Sequence, residues 1–148
     1  MTNPFTSDDE IAAIARGVID CTLPKPDWTH RAHFATALWL LARRPDLDVP
    51  RAMPGLIRAY NEATGVANTD TSGYHETITQ ASLRAAASFL RARASEPLFV
   101  VCNALMESPL GNKDWLLAHW SKERLFSVEA RRVWVDPDIA PLPFQESP

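Results

Sequence analysis

The chain has 148 residues, 46% hydrophobic and 22% charged, with a formal net charge of −3. That length can bury a core without disulfides or a structural metal, and that charge supplies no drive toward nucleic acid or an anionic membrane. Only 5 glycines stand against 12 prolines; this argues against hairpin-rich β folds, and the absence of G-x-G-x-x-G and G-x-x-x-x-G-K-[ST] argues against Rossmann and P-loop nucleotide sites.

In chain order the apolar spacing is helical. Ser7 and Glu10 form an S-x-x-E capping box ahead of a run with Ile11, Ile14, Ala15, Val18 and Ile19 on one face. Pro24 and Pro26 stop that helix. Thr29 is the N-cap expected for a second helix through Arg43, with Phe34, Ala35, Leu38, Trp39, Leu41 and Ala42 as apolar positions. Asp48 and Pro50 open a third, which carries Met53, Leu56, Ile57 and Tyr60 and closes at Gly65. The polar stretch Asn68–Gly73 reads as the longest loop. A fourth helix is predicted from Tyr74 to Ala94, and Pro97 begins a fifth with Leu98, Val101, Leu105 and Met106.

Beyond Pro109-Leu110-Gly111 the pattern predicts short helices around Asp114–Trp120 and Ser127–Arg132, while Val133-Trp134-Val135 is too short to force a sheet. The prolines from Asp136 onward predict an extended tail, 136–148, with Ile139, Leu142 and Phe144 packing across the bundle. The expected fold is all-α: one domain over 1–148, an irregular helical bundle of about five main helices plus short C-terminal ones. Cys21 and Cys102 lie far apart among apolar residues and read as buried reduced thiols. The N-terminus lacks an apolar leader and no run reaches membrane-spanning length, so the chain is expected to be cytoplasmic and to use no membrane. The basic pairs Arg43-Arg44, Arg91/Arg93 and Arg131-Arg132 fall near predicted helix C-termini, where cations complement the dipole.

Three of the 4 histidines sit in two motifs at helix starts, Trp28-Thr29-His30-Arg31-Ala32-His33 and Gly73-Tyr74-His75-Glu76-Thr77-Ile78-Thr79. His30 and His33 share a helix face at i,i+3. In an antiparallel bundle the second and fourth helices start at the same end, so His75 can join them. Three imidazoles with an open position suit Zn; two with a carboxylate suit Fe(II). On this reading His30, His33 and His75 are the metal ligands, and Glu76 is a fourth ligand or general base. Tyr74 and Thr79 orient substrate or the groups behind the ligands, Arg131 contacts a substrate carboxylate or phosphate unless it pairs with Glu123, Glu129 or Asp136, and metal-assisted hydrolysis is the first reaction class to consider. Helix N-termini keep imidazoles neutral, which serves a metal and a base equally.

Two other readings stand beside it. The histidines can be hydrogen-bonding residues of a metal-free pocket in a small-molecule-binding or interaction module. They can also be structural: Trp28 and His33 occupy the N′ and N4 positions of a hydrophobic staple, and Glu76 would be N3 after a Gly73 cap. His119, near Trp115 and Trp120, reads as a packed residue, and Ser121 and Ser127 as caps rather than nucleophiles.

The strings W-T-H-x-A-H and G-Y-H-E-T-I-T, with the later S-x-x-R-L-x-S-x-x-A-R-x-x-W-V-x-P-D over Ser121–Asp138, resemble a family of small bacterial helical proteins with no assigned activity. The resemblance spans most of the chain and implies that the two His motifs act as one unit. The family pattern has Tyr where this chain has Trp120, which removes a phenolic donor from that position.

Overall fold

A computed structural model describes residues 3–144. Five main helices, α1 (Asp8–Ile19), α2 (His30–Arg43), α3 (Val49–Ala63), α4 (Glu76–Ala92) and α5 (Leu98–Glu107), are followed by two short ones, α6 (Lys122–Leu125) and α7 (Val128–Arg132). There is no strand among the described residues, and no helix is long and apolar enough to cross a membrane. Short 3-10 turns occupy Lys25–Asp27, Pro109–Gly111 and Trp115–Ala118.

Helix starts follow side-chain chemistry. Ser7 accepts the Glu10 N–H, while the Glu10 carboxylate reaches back past Ser7 to the N–H and hydroxyl of Thr6 (2.6 and 2.7 Å). Thr29 caps α2 by accepting the Ala32 N–H. Ser121 and Ser127 cap α6 and α7 in the same way. The fourth helix departs from expectation: it begins at Glu76, not Tyr74, and its N-cap is His75 rather than Gly73. Imidazole Nδ1 does the work of a capping oxygen, a substitution that propensity rules for caps do not anticipate.

α2 is the central element. It packs against α1, α4 and α5, and Ala32, Phe34, Ala35, Thr36, Ala37, Leu38 and Leu40 are all buried. Burial on several faces replaces the single apolar stripe of a surface helix. One contiguous core joins every helix and continues through Leu110, Trp115, Leu116, Trp120 and Val135. Trp120, the largest fully buried side chain, donates its indole N–H to the Val135 carbonyl (3.0 Å) and meets Trp134 edge-on.

Val133–Val135 forms no strand. Its backbone polar groups pair with one side chain instead: Thr77 Oγ1 donates to the Val133 carbonyl (2.9 Å) and accepts the Val135 N–H (3.2 Å). The described part of the tail is non-helical, and Leu142 and Phe144 pack on the core. Ile139, expected to pack with them, is exposed. Cys102 is buried in α5, where desolvation pushes its thiol up to about 12. Cys21 is only partly buried, at the turn after α1 where its φ is +59°.

Candidate functional site

The two histidine motifs lie in different surroundings, and neither builds a metal centre. His30 Nε2 donates to the Leu110 carbonyl (2.8 Å), His33 Nδ1 donates to the Thr29 carbonyl (2.7 Å), and His75 Nε2 donates to the Leu125 carbonyl (2.7 Å). Each ring is thus held by a different backbone segment. No group of three or more His, Cys, Asp or Glu side chains among the described residues is placed to hold a metal ion. The expected ligand set of His30, His33 and His75, with Glu76 as a fourth, does not form. The reason is chemical as well as geometric: both ring nitrogens of His75 are already engaged, because Nδ1 accepts the Ile78 N–H (3.2 Å), and a ligating nitrogen needs a free lone pair.

His33 is the hydrophobic staple. Its ring stacks on Trp28 with centroids 3.6 Å apart, and Trp28 in turn meets Tyr60, whose hydroxyl donates to the Leu23 carbonyl (2.7 Å). Desolvation beneath Trp28 lowers the His33 pKa to about 4. A neutral folded imidazole and an unfolded one with the ordinary value of 6.5 set the sign: this contribution is complete above about pH 6.5 and is lost as pH falls toward 4. Burial lowers His75 in the same direction. Denaturant midpoints of the wild type should therefore fall over that window relative to His33→Phe, which keeps the stack and cannot titrate. Parallel curves would show that His33 is not held neutral.

The second motif is a clamp. Gly73 has φ +80°, and a Cβ there would lie 2.5 Å from the Ala67 carbonyl oxygen and 2.6 Å from Asn68 Oδ1. Only glycine allows the loop to close so tightly. Asn68 Oδ1 accepts the Tyr74 N–H and an Asn61 amide N–H (both 3.0 Å). His75 and Thr77 then grip the backbone at Leu125, Val133 and Val135. From the other side Arg131 donates to the carbonyls of Gly73 (3.0 Å) and Tyr74 (3.4 Å). It forms none of the side-chain ion pairs, with Glu123, Glu129 or Asp136, that its sequence neighbours offer.

The buried Tyr74 hydroxyl donates a short hydrogen bond to Glu76, and Thr79 also bears on it; burial, reinforced by the Glu76 carboxylate, pushes the phenol pKa well up. The proton stays on tyrosine, so Glu76 is engaged as an acceptor within its own motif. Of the expected catalytic pair, His75 is a cap and tie to the C-terminal segment, and Glu76 is Tyr74's acceptor.

His30 alone among the motif histidines opens onto a large space. A cleft of about 740 Å³ lies where α1, the start of α2 and the segment after α5 meet. Ile14, Leu23, Ala32 and Met106 give it apolar walls, and Glu10, Asp27, Arg31 and Lys113 line it as charged groups. Two of these charges are already used. Glu10 accepts from Thr6, and Arg31 donates to the Asn3 carbonyl and lies 3.9 Å over the Phe5 ring. Nε2 of His30 is fixed on Leu110, and its Nδ1 has no protein partner among the described residues. Gly111 also lines the cleft, and a side chain is excluded there because a Cβ would overlap the Met106 carbonyl oxygen.

Sequence reasoning singled out His30, but as a partner of His33 and His75 rather than of this cleft, and it assigned Ile14, Met106 and Lys113 to no site. They come from separate stretches of chain and carry no shared local signal. His119 is a packed residue as expected, with Nδ1 donating to the Ala140 carbonyl (3.2 Å). No family model, curated protein or solved structure matches the chain.

Proposed function

We propose that this chain is a small-molecule-binding domain whose ligand sits in the cleft at the start of α2. The observation that carries the reading is His30: it faces a space of ligand size, one ring nitrogen is anchored, and the other has no protein partner among the described residues. Largely apolar walls with a few fixed polar groups are the usual composition of such sites. The ligand class is an amphipathic molecule with an apolar body and a polar group that hydrogen-bonds His30 Nδ1. Asp27 and Lys113, both exposed and free of ion pairs among the described residues, stand at the cleft to read its charge. Binding alone is proposed. The engaged nitrogens of His75 and the Tyr74–Glu76 bond favour it over hydrolysis at that motif.

A melting-temperature screen of small amphipathic compounds tests this on the wild type and on Ala13→Trp. Ala13 is an exposed α1 residue lining the cleft, so the indole fills the space without entering the core. A ligand at a hundredfold excess over its Kd stabilises by about 2.7 kcal/mol. That stabilisation is expected in the wild type, is reduced in His30→Ala and is lost in Ala13→Trp. Equal stabilisation of the wild type and Ala13→Trp, or no response to any compound, overturns the proposal.

A further inference from the structure

A second, smaller pocket lies on the other motif, away from the His30 cleft. It has a volume of about 150 Å³, and Arg58, Asn68, Asp70, Tyr74, Arg131 and Arg132 are among its lining residues. Three guanidiniums therefore face one small space that holds a single carboxylate. Arg132 grips Asp70 with a two-pronged ion pair (2.7 and 2.6 Å). Neither Arg58 nor Arg131 has a carboxylate partner among the described residues. Arg58 lies 4.6 Å over the Tyr74 ring, and Arg131 is fixed by two backbone carbonyls through Nη1 alone. Glu76, the next carboxylate along the chain, takes the Tyr74 hydroxyl instead.

Three like charges sharing one counter-charge repel one another, and each guanidinium keeps N–H donors unspent. The arrangement also brings these cations from separate elements, α3 and α7, onto the rigid loop that Gly73 and Asn68 lock. A site held in place before its ligand arrives loses little freedom on binding. At roughly 30 Å³ per water molecule, the volume holds about five waters, or one tetrahedral oxyanion with part of its shell. Guanidinium forks match the oxygen spacing of phosphate. A chain of net charge −3 with one pocket of this size fits a single phosphate group rather than a nucleic-acid backbone.

We infer that Arg58, Arg131 and Arg132 form a binding site for a phosphate-sized oxyanion, as free phosphate or as the terminal group of a small phosphomonoester. Asp70 occupies Arg132 until the anion arrives and competes with it. Isothermal titration with inorganic phosphate and with phenyl phosphate, at ionic strength held constant with chloride, tests the site. Saturable binding is expected. Arg58→Gln, at an exposed position, should weaken it about tenfold. Asp70→Asn should tighten it, because it removes the competing carboxylate. Ala13→Trp should leave it unchanged, which separates this site from the His30 cleft. Tighter binding of phenyl phosphate assigns the site to phosphomonoesters; tighter or equal binding of phosphate assigns it to the phosphate group alone. No saturable binding of either compound overturns the inference. So does an Asp70→Asn protein that binds no tighter than wild type, and that variant decides the matter if Arg58→Gln fails to fold by circular dichroism.

Discussion

Replacing Trp120 with alanine is expected to destabilise the fold by about 3–5 kcal/mol, the range for large aromatic truncations in a core. The side chain is fully buried and meets Trp134 edge-on. The indole N–H also satisfies the Val135 carbonyl, so the alanine variant leaves a cavity and an unpaired acceptor together. For a chain of this length each kcal/mol moves the melting temperature by roughly 2–4 °C. A drop on the order of 10 °C or more should appear by circular dichroism. Trp120→Phe retains most of the packing and loses only the donor, so about 1–3 kcal/mol is expected, the cost of a buried unpaired group. An alanine variant that melts with the wild type would mean that the C-terminal segment is not docked as described. Tyrosine at this position would offer a hydroxyl rather than an indole N–H; in this chain the donor reaches inward to the tail and is not available to a ligand.

His75→Ala separates the clamp from catalysis. The variant loses the α4 cap, worth about 1 kcal/mol, and leaves the Leu125 carbonyl unpaired in a buried setting, worth about 1–3 kcal/mol more. The expected total is about 2–4 kcal/mol, read as a shift of the denaturant midpoint at unchanged slope. His75→Asn restores an acceptor for the helix start but is too short to reproduce the 2.7 Å bond to Leu125, so about 1 kcal/mol should return. A second readout keeps the roles distinct: ligand stabilisation through the His30 cleft should survive in His75→Asn. Wild-type stability in His75→Ala would remove the clamp and reopen a chemical role for this residue.

Most local structure was legible along the chain because its causes are local. Thr29, Ser121 and Ser127 stop or start helices through atoms within three residues of themselves, and the Trp28–His33 staple is set by an N′-to-N4 spacing. The His75 cap was not legible, since the group that holds its second nitrogen lies 50 residues away at Leu125. Val133–Val135 carries strand-forming residues but pairs with Thr77, more than 50 residues distant. Ile139 shares the apolar character of Leu142 and Phe144 and yet stays exposed, because the tail is held instead through Ile139 and Ala140 N–H groups donating to the His119 carbonyl.

The amino-acid sequence by itself determined the all-helical class and the positions of the main helices, because periodicity, proline stops and capping side chains act over a few residues. Only the tertiary structure decided what the two histidine motifs do. Whether two histidine-bearing helix starts converge depends on the backbone segments that packing brings to each ring, and these are Leu110 for His30 and Leu125 for His75. Packing left His30 with a free nitrogen on an open cleft, spent both nitrogens of His75 on holding the C-terminal segment, and placed three arginines around one small pocket.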